Sequence, residues 1–297
     1  MLEPTFEPRD RIEAARNGRG FNAAAAGLWC CGELAGLAWP TVAIVGTRAA
    51  TPYGRGLARR FGAELGRAGC CIVSGLALGI DTAAHEGALE AEAPTIGVLG
   101  GGHGHFFPRR NLALAERILA GGGAVLSPYP PSQPPHPPQF LARNGVVAAL
   151  ADAVLVIEAP ARSGALNTAS WAAGQIPVLA VPGDVDRAHV AGCHALIRDG
   201  ATLARGPQDV LEALGRLNLS PVPTPARAFD DPVASALLCA IEQGARELDE
   251  IVVATGVAAP AALAALTMLE LAGAIESVGA SAYARVAPAS GGEELHA

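Results

Sequence analysis

Asp81 and His85 stand four residues apart in a stretch of helical composition, so a carboxylate and an imidazole share one helix face, the spacing that acid/base chemistry uses. The commoner outcome for such a pair is structural: the aspartate caps or braces the glycine-rich loop before it, and the histidine hydrogen-bonds across to the aspartate. Ser74 and Ser163 have no evident triad around them. His103 and His105 flank Gly104, but two histidines are a weak metal pattern, and both are expected to be solvated loop residues. The cysteines Cys30, Cys31, Cys70, Cys71, Cys193 and Cys239 contain no C-x-x-C pair, and Cys70 and Cys71 open an apolar stretch as buried small hydrophobes. No catalytic residue, metal or cofactor is therefore expected. Phe140, Arg143 and Asn144 form a different constellation. At the start of a helix, an aromatic ring, a guanidinium and an amide can stack on a base, meet a phosphate and bond a base edge. A core aromatic beside an exposed arginine fits the same spacing.

These residues sit among loops rich in glycine and small hydroxyls: Gly46-Thr47-Arg48 with Thr51, Ser74 to Asp81, Gly100 to Gly102, Ser163 to Thr168, and Pro182-Gly183-Asp184. At helix N-termini such loops let backbone N–H groups approach an anion. A single loop of this kind is more often a tight turn. Five around one sheet edge describe a phosphate-lined groove. A nicotinamide cofactor is disfavoured, because the first loop lacks GxGxxG and the second strand ends at Ser74 without a ribose-binding acid.

The elements that must position these loops are short apolar runs alternating with helical stretches. Strands are predicted at Val42 to Val45, Cys71 to Val73, Thr95 to Leu99, Ala124 to Leu126, Val154 to Ile157 and Val178 to Val181. Helices are predicted at Tyr53 to Ala68 and Asn111 to Ala120. The alternation implies an α/β domain, an extended Rossmann-like fold with a parallel sheet and helices on both faces. The proline-rich stretch Pro128 to Pro138 predicts a loop, with a helix starting near Phe140. Three further helices, at Val233 to Glu242, Leu248 to Ala254 and Pro260 to Leu271, precede a hairpin of Ala274 to Val278 with Ala282 to Val286. That is the order of a small winged-helix domain. The expected division is an N-terminal lead-in (1–40), the Rossmann-like domain (41–217), an exposed linker (218–232), the winged-helix domain (233–287) and a disordered tail (288–297).

Composition narrows the functions open to this chain. A net charge of −7 argues against a surface that grips nucleic acid everywhere, so any such site is local. All 21 basic residues are arginine, which excludes a P-loop lysine, a Schiff-base lysine and a lysine general base. Arginine keeps bidentate phosphate contacts available. No apolar run reaches the ~18 residues of a membrane span, and no secretory leader is read at the N-terminus. The cytoplasm and a partnership without membrane are expected.

The series Val42 to Arg48, Ser74 to Asp81 with Ala84-His85, Phe140 with Arg143-Asn144, Ser163 to Thr168, and Val181-Pro182-Gly183 resembles the DprA/Smf family of DNA-processing proteins, in order from about Leu28 to Leu214. The resemblance implies a Rossmann-like domain that binds and protects single-stranded DNA, forms a homodimer and loads the RecA recombinase during natural transformation of competent cells. It implies no enzyme activity. Carried over by position, the DNA-binding residues it implies are Gly46, Thr47, Arg48, Ser74, Gly75, Gly79, Phe140, Arg143, Asn144, Ser163, Gly164 and Thr168. By rough analogy, Leu196 and Ile197 are implied at the dimer interface.

The chain departs from the family pattern where cations are usual. Leu78 stands for one arginine and Gly145 for another, and Gly192-Cys193-His194 replaces a Gly-x-Asn. Each lost cation costs about 1 kcal/mol of phosphate binding, which Arg109, Arg110 and Arg162 are placed to offset. An N-terminal helical extension carried by many members is not expected here. In the C-terminal module, Pro260 to Leu271 holds no basic residue, and residues 233–286 hold Arg246 and Arg285 against six acids. A protein-contact or regulatory module is expected rather than a duplex reader. Two other readings stay open: a nucleotide- or nucleoside-processing enzyme using Asp81 and His85, and a protein scaffold that has lost strong DNA binding.

Overall fold

The computed structural model describes residues 3–23, 25–215, 232–271, 274–278 and 282–285, in two compact units, Met1–Val222 and Pro223–Ala297. The predicted linker, apart from Pro232, and the predicted tail lie outside the described residues. In the first unit the order is β1 (Thr5–Pro8), α1 (Arg9–Ala15), β2 (Gly27–Gly32), β3 (Thr41–Gly46), α2 (Pro52–Arg67), β4 (Cys71–Ser74), α3 (Ile80–Glu90), β5 (Thr95–Val98) and α4 (Leu112–Ala120). It continues through β6 (Ala124–Ser127), α5 (Pro137–Leu150), β7 (Ala153–Ile157), α6 (Gly164–Ala172), β8 (Val178–Ala180), α7 (Ala191–Arg198), β9 (Thr202–Leu203) and α8 (Pro207–Ala213).

The sheet order is β1-β2-β6-β5-β4-β3-β7-β8-β9. From β6 to β9 every pairing is parallel, as the βα alternation predicts. The chain builds outward from β3 through β4, β5 and β6, then returns to lay β7 against the other edge of β3. The topological switch, where two neighbouring loops diverge and leave a crevice, is therefore between β3 and β7. Alternate residues of β3 serve two cores. Ala43 and Val45 pack with Val146, Val147 and Leu150 of α5 and Ala165 and Ala169 of α6, while Val42 and Ile44 pack with Phe61 and Leu65 of α2 and Ile80 and Ala84 of α3.

Two expectations are corrected. Residues 1–40 are more than a lead-in, and the sheet is mixed: β2 pairs antiparallel with β6, and β1 antiparallel with β2. Ile12, Phe21, Leu28 and Leu37 are fully buried in the main core. This segment is tied down through Asp152, which accepts from the Thr41 N–H (2.8 Å), from Arg16 (3.1 Å) and from Arg19. Arg16 also donates to the Leu150 carbonyl, and Arg19 to those of Leu37 and Trp39. The second correction concerns α5, which begins at Pro137 rather than near Phe140. Proline is tolerated in a first helical turn, whose N–H groups lack helical partners anyway, and the Gln139 side chain accepts the His136 N–H (2.8 Å).

The second unit contains α9 (Pro232–Glu242), α10 (Leu248–Thr255), α11 (Ala259–Leu271) and the hairpin β10 (Ile275–Val278) with β11 (Ala282–Arg285). Its core is Leu237, Ile241, Ile251, Ala262, Leu266, Leu269 and Ile275, so it is a winged-helix domain as predicted. No single described helix is long and apolar enough to cross a membrane. Among the described residues, the apolar helices Leu248–Thr255 and Ala259–Glu270 follow one another but are bent by 111° and commit Ile251, Leu266 and Leu269 to this core.

The Asp152 cluster gives a stability prediction. Truncating one partner of a largely buried pair leaves charges and a backbone N–H unmatched, so Asp152→Ala is expected to lower unfolding free energy by about 3 kcal/mol. A urea melt checks it, and a loss below about 1 kcal/mol contradicts the role assigned to the cluster.

Candidate functional site

A cavity of about 380 Å³ opens at the carboxyl edge of the sheet, between the loops that leave β3 and β7. Ten of the twelve residues expected to bind DNA line it: Gly46, Thr47, Arg48, Gly75, Phe140, Arg143, Asn144, Ser163, Gly164 and Thr168. Two do not. The Ser74 hydroxyl is fully buried and donates to the Ile44 carbonyl (2.6 Å), so it joins β4 to β3. Gly79 precedes α3 at φ +85°, and a Cβ there would stand 2.8 Å from the Arg48 carbonyl oxygen. Its task is to let two loops meet.

Arg143 lines the cavity but is buried. Its Nη1 donates to the carbonyls of Gly75 and Val98, and its Nε reaches Asn144 Oδ1 (3.3 Å). Burial pushes the guanidinium down to about 10, while the nearby Asp81 carboxylate favours its charged form, so it stays protonated near neutrality. Among the described residues Nη2 makes no hydrogen bond. Gly75 must be glycine here, because a Cβ would lie 2.7 Å from the guanidinium carbon.

Asp81 braces the glycine-rich loop, accepting from the N–H groups of Gly75 (3.1 Å) and Ala77 (3.3 Å). Burial raises its pKa, opposed by Arg143 and these hydrogen bonds. Asn111 supports the loop from outside, donating to the Leu76 carbonyl (2.8 Å). His85 does not pair with Asp81 as expected. Its Nδ1 is 2.7 Å from Thr95 Oγ1, whose single proton goes to the Ile72 carbonyl (2.8 Å), so Nδ1 is the protonated nitrogen. Desolvation holds this imidazole down to about 3. Acid/base chemistry through the pair is excluded by this geometry: the carboxylate is committed to the loop, and the imidazole is fully buried and neutral.

Glu158 was not anticipated. It follows β7 at φ +47°, is buried, and its carboxylate accepts from the N–H (2.9 Å) and hydroxyl of Thr51 at the start of α2. His189 Nε2 lies 3.6 Å from the same carboxylate. An acid directly after an apolar strand was the available sequence cue. Internal carboxylates thus occupy the starts of α2 and the loop before α3, and an anion can meet free helical N–H groups most readily at α6. There Ser163 accepts from the Ala165 N–H (3.3 Å), Gly164 is exposed, and Arg162 is exposed beside them. Asn144 donates to the Gly164 carbonyl (3.1 Å).

Phe140 is half-buried, with the exposed Arg48 guanidinium 5.4 Å from its ring centre. The ring is thus neither wholly a core anchor nor wholly free, and it forms part of the cavity wall. His103, expected in solvent, is buried with Nε2 2.9 Å from the Val125 carbonyl, whereas His105 is exposed. The described residues contain no group of three or more His, Cys, Asp or Glu suited to a metal.

A family model described as DNA recombination-mediator protein A matches residues 16–215, and one described as the DprA winged helix domain matches residues 219–280. A DprA-named relative from Mycobacterium tuberculosis is 40% identical over 277 residues, covering 89% of this chain and 71% of its own length. The X-ray structure of DNA processing protein A from Streptococcus pneumoniae is 40% identical with a TM-score of 0.60, covering 64% of this chain and 66% of that one. The Helicobacter pylori structure, described for its single-stranded DNA binding mode, is 29% identical with a TM-score of 0.62, covering 72% of this chain and 97% of that one.

His85 carries a pH prediction. Its folded pKa of about 3 lies below the ~6.5 of an unfolded histidine, so the unfolded state takes up a proton first as pH falls. The stability this contributes is complete above about pH 6.5 and is lost toward pH 3, amounting to about 2 kcal/mol at pH 5. His85→Asn, which keeps a donor for Thr95, is expected to flatten the decline in unfolding free energy between pH 7 and 5. An unchanged slope in denaturant melts contradicts it.

Proposed function

The chain belongs to the DprA/Smf family of DNA-processing proteins, and from that membership we propose that it binds single-stranded DNA through the cavity between β3 and β7 and delivers it to RecA. Family members are non-catalytic recombination mediators, and the geometry of Asp81 and His85 supports the same reading for this chain. The observation that carries it is the convergence, at the sheet's topological switch, of exposed Arg48 and Arg162, the start of α6 and an aromatic ring. A phosphate is held by the Ser163 and Gly164 N–H groups with Arg162, and Arg48 reaches a neighbouring phosphate from the opposite wall. Thr47 and Asn144 supply polar contacts, Arg143 offers Nη2, and Gly46 and Thr168 shape the walls. A base released from its neighbours stacks on Phe140. Bases held in a duplex cannot do so, which gives the single strand its preference.

A homodimer, extending the track from one cavity to a second, is part of the same proposal, and Leu196 and Ile197, both half-buried on α7, are its candidate contacts. Mediation during natural transformation fits this arrangement: a strand held by backbone N–H groups and a few arginines is protected yet remains exchangeable onto the recombinase.

Fluorescence anisotropy with a labelled oligo-dT across a salt series tests the groove. Each phosphate neutralised on a single strand contributes about −0.7 to the log–log salt slope, so two or three arginine contacts predict a slope near −1.4 to −2. Arg48→Ala is expected to make the slope shallower by about 0.7 and weaken binding severalfold. Failure of the chain to bind at low salt, or an Arg48→Ala variant indistinguishable from it, overturns the assignment.

A further inference from the structure

An acidic chain without lysine has few cations to spare, so the tasks of its arginines show where positive charge is left over. In the first unit many pair with carboxylates, among them Arg59 with Glu90 and Arg205 with Asp209. Arg55 donates to the Ala50 carbonyl, and Arg67 and Arg117 sit in the last turns of α2 and α4, where the negative end of a helix favours a cation. Among the described residues of this unit, the exposed arginines Arg48, Arg109, Arg110 and Arg162 have no such task for their charge. All four stand in loops at the carboxyl ends of β3, β5 and β7, the edge where the cavity opens. Arg109 and Arg110 immediately precede α4, at the positive end of that helix, where cations destabilise, and α4 carries no acid in its first turn to offset them. A placement unfavourable to the fold is expected where a ligand supplies the missing negative charge. The turn that holds them is fixed against the cavity floor. Asn111 donates to the carbonyls of Leu76 (2.8 Å) and Ala77 (3.2 Å), and Phe107 and Pro108 border the same space as Arg48, Gly75 and Arg143. In the other direction along the edge the charge changes sign: the loop after β8 exposes Asp184 and Asp186, with Arg187 the one cation within 4 Å of them among the described residues.

We propose that the groove extends across β4 and β5 for a single strand longer than the cavity, and that Arg109 and Arg110 hold the phosphates beyond Arg48. The inference rests on the reading of the cavity as a single-strand track. Its ligand is the sugar-phosphate backbone alone, so this extension adds affinity and direction without reading sequence. A strand that passes from Arg162 to Arg48 meets its next uncommitted cations at Arg109 and Arg110, whereas a strand leaving over β8 meets two exposed carboxylates. Binding thereby acquires a length threshold. A short strand is held by the arginines of the cavity, and a longer one adds two phosphate contacts and releases the counterions that those phosphates had condensed.

The test is a salt series of anisotropy titrations with labelled oligo-dT of about four and about sixteen nucleotides, the range that single-strand-binding surfaces occupy. The full chain is compared with Arg109→Ala/Arg110→Ala, with Arg109→Lys/Arg110→Lys, and with Arg67→Ala/Arg117→Ala, which removes the same charge from the opposite edge of the sheet. On the longer strand Arg109→Ala/Arg110→Ala is expected to make the log–log salt slope shallower by about 1.4 and to weaken binding severalfold, and on the shorter strand to change nothing. The lysine pair is expected to keep the slope, and the pair at Arg67 and Arg117 to bind both lengths as the unmodified chain does. Circular dichroism and a thermal melt verify the fold, and the alanine pair at Arg109 and Arg110 is expected to melt no lower than the unmodified chain, because cations leave the positive end of α4. An equal loss on both lengths overturns the proposal, as does a loss that Arg67→Ala/Arg117→Ala reproduces, since the effect then lies in the cavity or in net charge. If Arg109→Ala/Arg110→Ala binds both strands as the unmodified chain does while Arg48→Ala loses binding, the extension is overturned and the cavity stands. Absence of single-strand binding by the unmodified chain overturns both readings.

Discussion

Arg143 sits where the parallel ladder runs out. Pairing between β4 and β5 ends at Ser74 opposite Gly97, so the next two residues, Gly75 and Val98, are not paired with each other across those strands, and their buried carbonyls must find donors. The guanidinium brought in by α5 serves both at once. With the same side chain it sets the height of the glycine loop, since Gly75 passes too close to the guanidinium for any Cβ. Asp81 then fixes the other side of that loop through the Gly75 and Ala77 N–H groups and provides the charge that keeps a buried arginine protonated. The position of Phe140 follows, because it lies three residues before Arg143 on the same helix and thus on the same face. Cavity floor, loop and aromatic wall are consequences of one satisfied network.

Such a network has a cost for function. Charges that complete the scaffold are unavailable to a ligand. Asp81 and Glu158 act as resident anions at a sheet edge whose loops are otherwise suited to bind phosphate, and Arg143 contributes at most one nitrogen. In an acidic protein without lysine this matters, since few other cations are at hand. The weight shifts to α6, to the exposed Arg48 and Arg162, and to aromatic surface. Leu78 and Gly145 add to the shift. Leu78 lines an apolar recess, and Gly145 admits the Trp171 ring, whose atoms would stand 3.2 Å from a Cβ there.

The fold was legible wherever burial on both faces writes a continuous apolar run, as in Val42 to Val45 and Val154 to Ile157, and wherever glycine or proline punctuates the ends. It was illegible in β1 and β2, whose four and six residues carry no clear period and become strands because β6 offers an edge and Asp152 with its two arginines anchors the segment. The site was legible as a set of loops, because glycine spacing reports close approaches. What each side chain spends its hydrogen bonds on was not. Ser74, Arg143 and His85 have the right type for a groove or a reaction, yet their partners lie 10 to 68 residues away on other strands and loops, and only the packed sheet brings them together.

The winged-helix domain presents the same question of what remains uncommitted. In α11, Ala262, Ala265, Leu266 and Leu269 face the core, while Pro260, Ala261, Leu263, Ala264, Thr267, Met268 and Glu270 are exposed. In a duplex-reading winged helix this outer face enters the major groove, and phosphate contacts fix its register before any base edge is read. Here the helix has no cation, and its only charge repels phosphate. Methyl-bearing side chains touch thymine methyls only after such positioning, so the exposed apolar face cannot supply a duplex site by itself. A protein surface makes no such demand: Leu263, at 47% exposure, and Met268, at 64%, can be covered by apolar side chains without a compensating charge. Protein contact is accordingly the role we propose for this domain, with nucleic acid confined to the groove where Arg143 has organised the few groups able to hold it.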